Sequence, residues 1–152
     1  MAILKRTLII GSGGYIGSRL MKEMQATGVD INWFKKGKKD VDFKDLTRDY
    51  YSEFDNIILL AGHSSVKMSE GNLNSCFNNN VRNFIDLLEK LDNQKLIYAS
   101  SSSVYGANTL MPYSVNHNVD HPLSLYAATK KSNELMAHSY SHLYKLPTTG
   151  LR

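Results

Sequence analysis

A single cysteine, Cys76, means that the chain closes no disulfide within itself. That usage suits a reducing compartment, most simply the cytoplasm. No segment is long and apolar enough to span a bilayer. The opening run from Met1 to Ile10 is too short for the apolar stretch of a secretory signal, and glycines rather than a cleavage site follow it. Charge of one sign is also scarce. The formal net charge is +4, and the densest basic patch, Lys35-Lys36-Gly37-Lys38-Lys39, has no aromatic residues interleaved with it. A nucleic-acid groove needs such stacking platforms, so nucleic acid is set aside as a partner and the phosphate of a small ligand fits the patch better. His63, His117, His121, His138 and His142 keep no metal-ligand spacing with cysteine or carboxylates. His138 and His142 lie one helical turn apart without a third ligand, and all five are read as surface or loop residues. Cys76 has no evident base partner, which argues against a thiol nucleophile.

What is present describes one domain. Hydrophobic residues make up 42% of the 152 positions and charged residues 21%, enough for a packed core under a solvated surface. No repeat, low-complexity tract or linker divides residues 1–152. Short β-branched runs alternate with amphipathic segments, the pattern of a parallel sheet with helices on both faces. Strands are predicted at Arg6 to Ile10, Val29 to Phe34, Val41 to Phe43, Asn56 to Leu60, Lys95 to Ala99 and Thr148 to Leu151. Helices are predicted at Tyr15 to Gln25, Thr47 to Ser52, Asn78 to Leu91 and Ser124 to Tyr144. In the third of these, Val81, Phe84, Ile85, Leu88 and Leu91 recur at helical spacing and form a buried stripe. The fold class is α/β, a doubly wound parallel sheet of about six strands in the order 3-2-1-4-5-6. The long irregular stretch from Gly106 to Pro122 follows a strand end, where open α/β sheets place their ligands.

Two motifs carry chemistry. Gly11, Gly14 and Gly17, with Tyr15 and Ile16 between the last two, follow a predicted strand and open a predicted helix. A tight turn, a close backbone approach to a pyrophosphate and close helix-to-sheet packing each call for a missing side chain. Further on, Tyr126 and Lys130 stand one turn apart on a helix face. A cation beside a phenol favours the phenolate and lowers a pKa otherwise near 10, which makes Tyr126 a candidate general base. With Ser101 upstream, the set reads as a redox site.

The order of Gly11, Gly14, Gly17, the strand end Leu60-Ala61-Gly62, Asn80, Ser101 and the Tyr126/Lys130 pair resembles the extended short-chain dehydrogenase/reductase family, the NAD-dependent epimerases and dehydratases. Within it, the segments Tyr98-Ala-Ser-Ser-Ser-Ser-Val-Tyr105-Gly106 and Asp120-His-Pro-Leu-Ser-Leu-Tyr126-Ala-Ala-Thr-Lys130, and the closing Leu146-Pro-Thr-Thr-Gly-Leu-Arg152, look most like UDP-glucuronate 4-epimerases. The resemblance implies an NAD(P)-dependent sugar-nucleotide 4-epimerase working through a transient 4-keto sugar. Tyr126 would move the proton of the 4-hydroxyl, and Ser101 would orient that oxygen with Ser102 beside it at the substrate. Lys130 would hold the nicotinamide ribose and stabilise the phenolate. Leu60, Ala61, Gly62 and Asn80 would line the cofactor, and Asp45-Leu46 resembles the adenine-side pair. Dehydratases of the family carry an Asp-Glu pair where Ser102 and Ser103 stand, which disfavours that reaction here. A homodimer through the helices at Asn78 to Leu91 and Ser124 to Tyr144 is the partner that fold analogy implies.

Two departures leave alternatives open. The carboxylate that normally ends the second strand and binds the adenosine ribose is replaced, in the predicted register, by Lys35, with Lys36 next to it. A cation there would pair with a 2′-phosphate, so NAD and NADP both stand as cofactors, and an NADP-dependent sugar-nucleotide reductase stands as an alternative. The chain also stops in the predicted sixth strand, without the substrate lobe of the family. It is expected to be either a fragment or a shortened protein that borrows this lobe, inactive in isolation, and a non-catalytic dinucleotide-binding module is the remaining reading.

Overall fold

A computed structural model describes residues 6–30 and 45–152. Its elements run β1 (Thr7–Ile10), α1 (Tyr15–Glu23), β2 (Thr27–Val29), α2 (Arg48–Ser52), β3 (Asn56–Leu59), α3 (Val66–Gly71), α4 (Leu73–Phe77), a π-helical turn (Asn78–Arg82), α5 (Asn83–Leu88), β4 (Lys95–Ala99), a 3-10 turn (Ser102–Tyr105), α6 (Leu125–Tyr144) and β5 (Thr148–Leu151). The described strands form one parallel sheet in the order β2-β1-β3-β4-β5. This is the predicted order without its third strand, Val41 to Phe43, which lies outside the described residues.

Strand β1 is buried along its whole length, as a central parallel strand covered on both faces must be. Leu8 and Ile10 join Ile57, Leu59, Leu96 and Tyr98 of the neighbouring strands, and Phe84, Leu87 and Leu88 of α5, in the main core. Each such side chain contributes about 1.5–3 kcal/mol by leaving water. The predicted stripe is largely there, but Ile85 is only half-buried and Leu87 takes a core place instead. The cause is the π turn, whose wider winding shifts the phase of the residues that follow. The helical stretch also begins earlier than the predicted Asn78, at Leu73, where the Asn72 side chain caps it by accepting from the Ser75 amide at 3.1 Å. Helix α3 has no counterpart among the predicted elements.

The second strand differs more. It begins at Thr27, ahead of the predicted Val29, where the amides of Gly11 and Ser12 donate to the Val29 carbonyl at 2.8 and 3.2 Å and draw this segment to the glycine loop; residues 31–34 of the predicted strand lie outside the described residues. The residue directly after β2 is therefore Asp30, a carboxylate. Lys35 and Lys36 lie outside the described residues. Because β1 has β2 on one side and β3 on the other, the strand order reverses between β1 and β3. At such a switch point open α/β sheets bind ligands in a crevice outside the carboxyl ends of the strands, here the ends of β1 at Gly11 and of β3 at Leu60-Ala61-Gly62, which touch one another.

Candidate active site and cofactor cradle

The amino-terminal wall of the crevice is made of backbone. Gly11 has φ +93°, and a Cβ there would stand 2.6 Å from the Ala61 nitrogen. A Cβ on Gly17 would lie 2.1 Å from the Gly11 carbonyl oxygen, so α1 sits against the loop only because that atom is missing. The Gly13 amide donates to the Asp30 carboxylate at 2.6 Å, and the Gly14 amide to the Gly11 carbonyl at 3.1 Å. Tyr15 and Ile16 are 89% and 57% exposed at the start of α1. No side chain caps that helix, and an uncapped helix start is the arrangement that receives an anionic group. Opposite, the amides of Leu60 and Ala61 donate to the Ile10 carbonyl at 2.8 and 3.0 Å and fix the turn that ends in Gly62. These residues fit the pyrophosphate of a dinucleotide. Asp45 is exposed, whereas Leu46 is built into the main core.

The carboxyl-terminal wall is made of side chains. Ser124 caps α6 by accepting from the Ala127 amide at 3.1 Å, which starts the helix at Leu125 and turns Tyr126 and Lys130 inward. Both are buried, at 6% and 7% exposure. Ser101 follows β4, is half-buried, and its hydroxyl lies close enough to the Tyr126 phenol to act on its ionisation, while its own hydrogen bonds run to Ser103. The structure thus brings Ser101, Tyr126 and Lys130 together, with Ser102 exposed at the rim. An open groove of about 870 Å³ runs from Ser102 past Tyr105 and Tyr113 to Arg152.

The electrostatics correct one reading of the spacing. Lys130 does not lower the Tyr126 pKa in this protein as it stands. Burial raises the phenol above its ordinary value, and it is the Ser101 hydrogen bond that opposes the rise. The Lys130 ammonium donates to the Ala99 carbonyl at 3.0 Å and lies 6.0 Å from the Tyr126 ring centre. Burial also pushes Lys130 itself down to about 8.

Asn80 is 3% exposed and sits in the π turn. Its Oδ1 accepts from the His63 amide at 2.8 Å, and its Nδ2 bonds to the His63 carbonyl at 3.2 Å and to Thr129 Oγ1 at 3.1 Å. Thr129 in turn donates to the Tyr126 carbonyl at 2.7 Å. The amide thus ties the turn after β3 to the helix that carries Tyr126, and its hydrogen bonds are engaged within the protein. His63, read as a surface or loop residue, lies in the loop after β3 but is only 7% exposed, with its ring against the Ser75 hydroxyl at 3.1 Å. Sequence reasoning passed over Glu134. It lies one turn beyond Lys130 on α6, accepts from the Ser100 hydroxyl at 2.6 Å, and takes two hydrogen bonds from Arg152 at 2.9 and 2.8 Å. A glutamate four residues after Lys130 was the available signal.

Known proteins agree with this geometry. The profile of the NAD dependent epimerase/dehydratase family matches residues 7–152. The chain belongs to that family. Protein CapI of Staphylococcus aureus, which is 43% identical over 176 aligned residues, covers 97% of this family member, and the alignment takes in 53% of CapI. UDP-glucuronate 4-epimerase 6 of Arabidopsis thaliana is 47% identical over 103 residues, 65% of this chain and 22% of that protein. The structure of UDP-glucuronic acid 4-epimerase from Bacillus cereus in complex with UDP-glucuronic acid and NAD superposes with a TM-score of 0.80 at 25% identity, covering 97% of this chain and 55% of that one. This epimerase/dehydratase family member thus spans about half the length of CapI and of the Bacillus enzyme. Among its described residues, no helix is long and apolar enough to cross a membrane.

Proposed function

We propose that the chain supplies the cofactor cradle and the reacting groups of a sugar-nucleotide 4-epimerase that acts on UDP-glucuronate or a related UDP-sugar. The observation that carries this is the convergence of Ser101, Tyr126 and Lys130 beside the glycine cradle, at the switch point of the sheet. The likeness to the Arabidopsis and Bacillus proteins, both UDP-glucuronate 4-epimerases by name, supports the substrate class.

Gly11, Gly14 and Gly17 would hold the pyrophosphate, with Leu60, Ala61 and Gly62 opposite and Lys130 at the nicotinamide ribose. Bound NAD supplies the acceptor, and then the donor, of the hydride at the sugar C4. Tyr126 takes the proton of the 4-hydroxyl and returns it once the sugar has turned its other face. Ser101 holds the C4 oxygen throughout. Burial raises the phenol in the protein as it stands, so the base form would need Lys130, on the same helix face, to turn its charge toward the phenolate once cofactor is bound. No net oxidation occurs. The groove from Ser102 to Arg152 is of a size to take the rest of the nucleotide sugar.

We assign NAD rather than NADP on Asp30, whose carboxylate follows β2 beside the Gly13 amide and would repel a 2′-phosphate. A homodimer is supported by apolar side chains left open on the helices, among them Phe77, Leu135, Leu143 and Tyr144. The single cysteine, buried and free, suits the cytoplasm.

The test uses the protein expressed from its own gene at full encoded length. UDP-glucuronate should become UDP-galacturonate without net NADH, and NAD should bind about 10-fold or more tightly than NADP. NADP binding at least as tight as NAD would move the weight back to Lys35 and Lys36. Tight NAD binding with no isomer formed from UDP-glucuronate, UDP-glucose or UDP-N-acetylglucosamine would leave a non-catalytic module.

A further inference from the structure

Ser101 is held by its chain neighbours, and those neighbours are held by two residues outside the reacting set. Its hydroxyl accepts from the Ser103 amide at 3.1 Å and from the Ser103 hydroxyl at 2.8 Å, closing the 3-10 turn from Ser102 to Tyr105. On the amino side of that turn, Ser100 donates its hydroxyl to Glu134 at 2.6 Å and its amide to the Leu151 carbonyl at 2.8 Å. On the carboxyl side, the Arg152 guanidinium lies 5.3 Å over the Tyr105 ring, and Tyr105 stacks on Tyr113 at 4.4 Å with an 11° interplanar angle. Glu134 and Arg152 join these two grips through a two-pronged pair whose side chains are only 13% and 21% exposed.

We propose that Glu134 and Arg152 are positioning residues for the reaction, a clamp that aims Ser101 at Tyr126 by gripping Ser100 before the turn and Tyr105 after it. The importance of that aim rests on the epimerase reading above. Glu134 stands eight residues after Tyr126 and four after Lys130, so the helix that carries the base also carries the clamp. The two ends of the serine turn are thereby fixed to the element on which the proton moves. A planar guanidinium suits the task because it presents paired donors to the carboxylate while its face lies on an aromatic ring. Burial opposes ionisation of Glu134, yet the Arg152 and Ser100 hydrogen bonds hold its carboxyl below the usual range. Misplacing a reacting group by about 1 Å can cost on the order of 100-fold in rate, so a clamp of this kind acts on turnover without touching substrate.

The test reads how Ser101 acts on the Tyr126 phenol. Tyrosines are labelled with 13C at Cζ, giving nine resonances, and Tyr126 is assigned by the signal missing from Tyr126→Phe. At neutral pH, Ser101→Ala sets the displacement that follows loss of the Ser101 hydroxyl. Ser100→Ala and Glu134→Leu should each move the signal at least half as far in the same direction. Glu134→Gln, which keeps an oxygen for Ser100, should move it less than a quarter as far. A mere stabilising ion pair would lower the melting temperature of Glu134→Leu and leave the Tyr126 signal at its wild-type position, and that result overturns the proposal. If Glu134→Leu fails to fold, Ser100→Ala, which loses one hydroxyl, decides alone. The resonance needs neither substrate nor turnover, so failure of the epimerase reading in the product assay is told apart from failure of the clamp.

Discussion

The two walls of the crevice are built by opposite means. The glycine wall works by what is absent: Gly11 and Gly17 bring backbone within distances that no side chain tolerates, and the residues at the helix start stand open. The tyrosine wall works by what is buried: Tyr126, Lys130, Thr129 and Asn80 are all under 8% exposed, Asn80 bonds across to Thr129, and Lys130 bonds across to the Ala99 carbonyl. On the proposed reading the difference separates binding from reaction. A backbone cradle can hold a pyrophosphate whatever the nearby side chains are, whereas a base needs its pKa and its neighbours set by packing.

The largest effect should come from the tyrosine wall. Tyr126→Phe removes the proton carrier and leaves the cradle, so turnover should fall about 100-fold or more while NAD affinity stays within about twofold. Equal losses in both would erase the division between the walls. Gly17→Ala should do the reverse. Its new methyl meets the Gly11 carbonyl, a backbone atom that yields only if α1 moves, and NAD binding should weaken by about 2.5 kcal/mol, the cost of overpacking. Calorimetric titration checks this, and an unchanged affinity would show that α1 does not close the cradle.

Lys130 sharpens the comparison through pH. Its ammonium releases a proton at about 8 in the fold and near 10.5 when unfolded. Between those values the unfolded chain binds more protons, so stability rises with pH, and as pH falls through about 8 that contribution is lost. From pH 8 to 9.5 the wild type should gain about 2 kcal/mol relative to Lys130→Met, measured by urea unfolding. Parallel profiles would place the ammonium in water. The smallest effect belongs to Asn80→Ala, which leaves the His63 amide and Thr129 hydroxyl short of a partner. It should cost about 1.5 kcal/mol, a few degrees in Tm, and lower turnover more than NAD affinity.

The same contrast explains what the sequence made legible. The glycine spacing and the Tyr126–Lys130 spacing are local, and both were readable because a turn and a helix face are local objects. The strands were readable too, since β1, β3 and β4 are rich in apolar residues bounded by turn residues and β5 is a short Thr-rich run that follows Pro147. The π turn was not, because its cause is tertiary: Asn80 reaches His63 and Thr129, 17 and 49 residues away in the chain. The clamp was hidden for the same reason, since Ser100, Glu134 and Arg152 meet across separations of 34 and 18 residues. The direction of the Tyr126 shift failed because helical spacing reports that a cation is near and says nothing of burial or of the Ala99 carbonyl that holds it.

The central claim is that Ser101, Tyr126 and Lys130 serve an oxidation and reduction confined to one sugar carbon. UDP-glucuronate carrying deuterium at C4, incubated with NAD and the protein expressed from its own gene, tests it most directly. The account predicts UDP-galacturonate that keeps the deuterium at C4, with no label lost to water and no net NADH. Product that has exchanged the label with solvent, or a labelled substrate returned unchanged by a protein that binds NAD tightly, would contradict it.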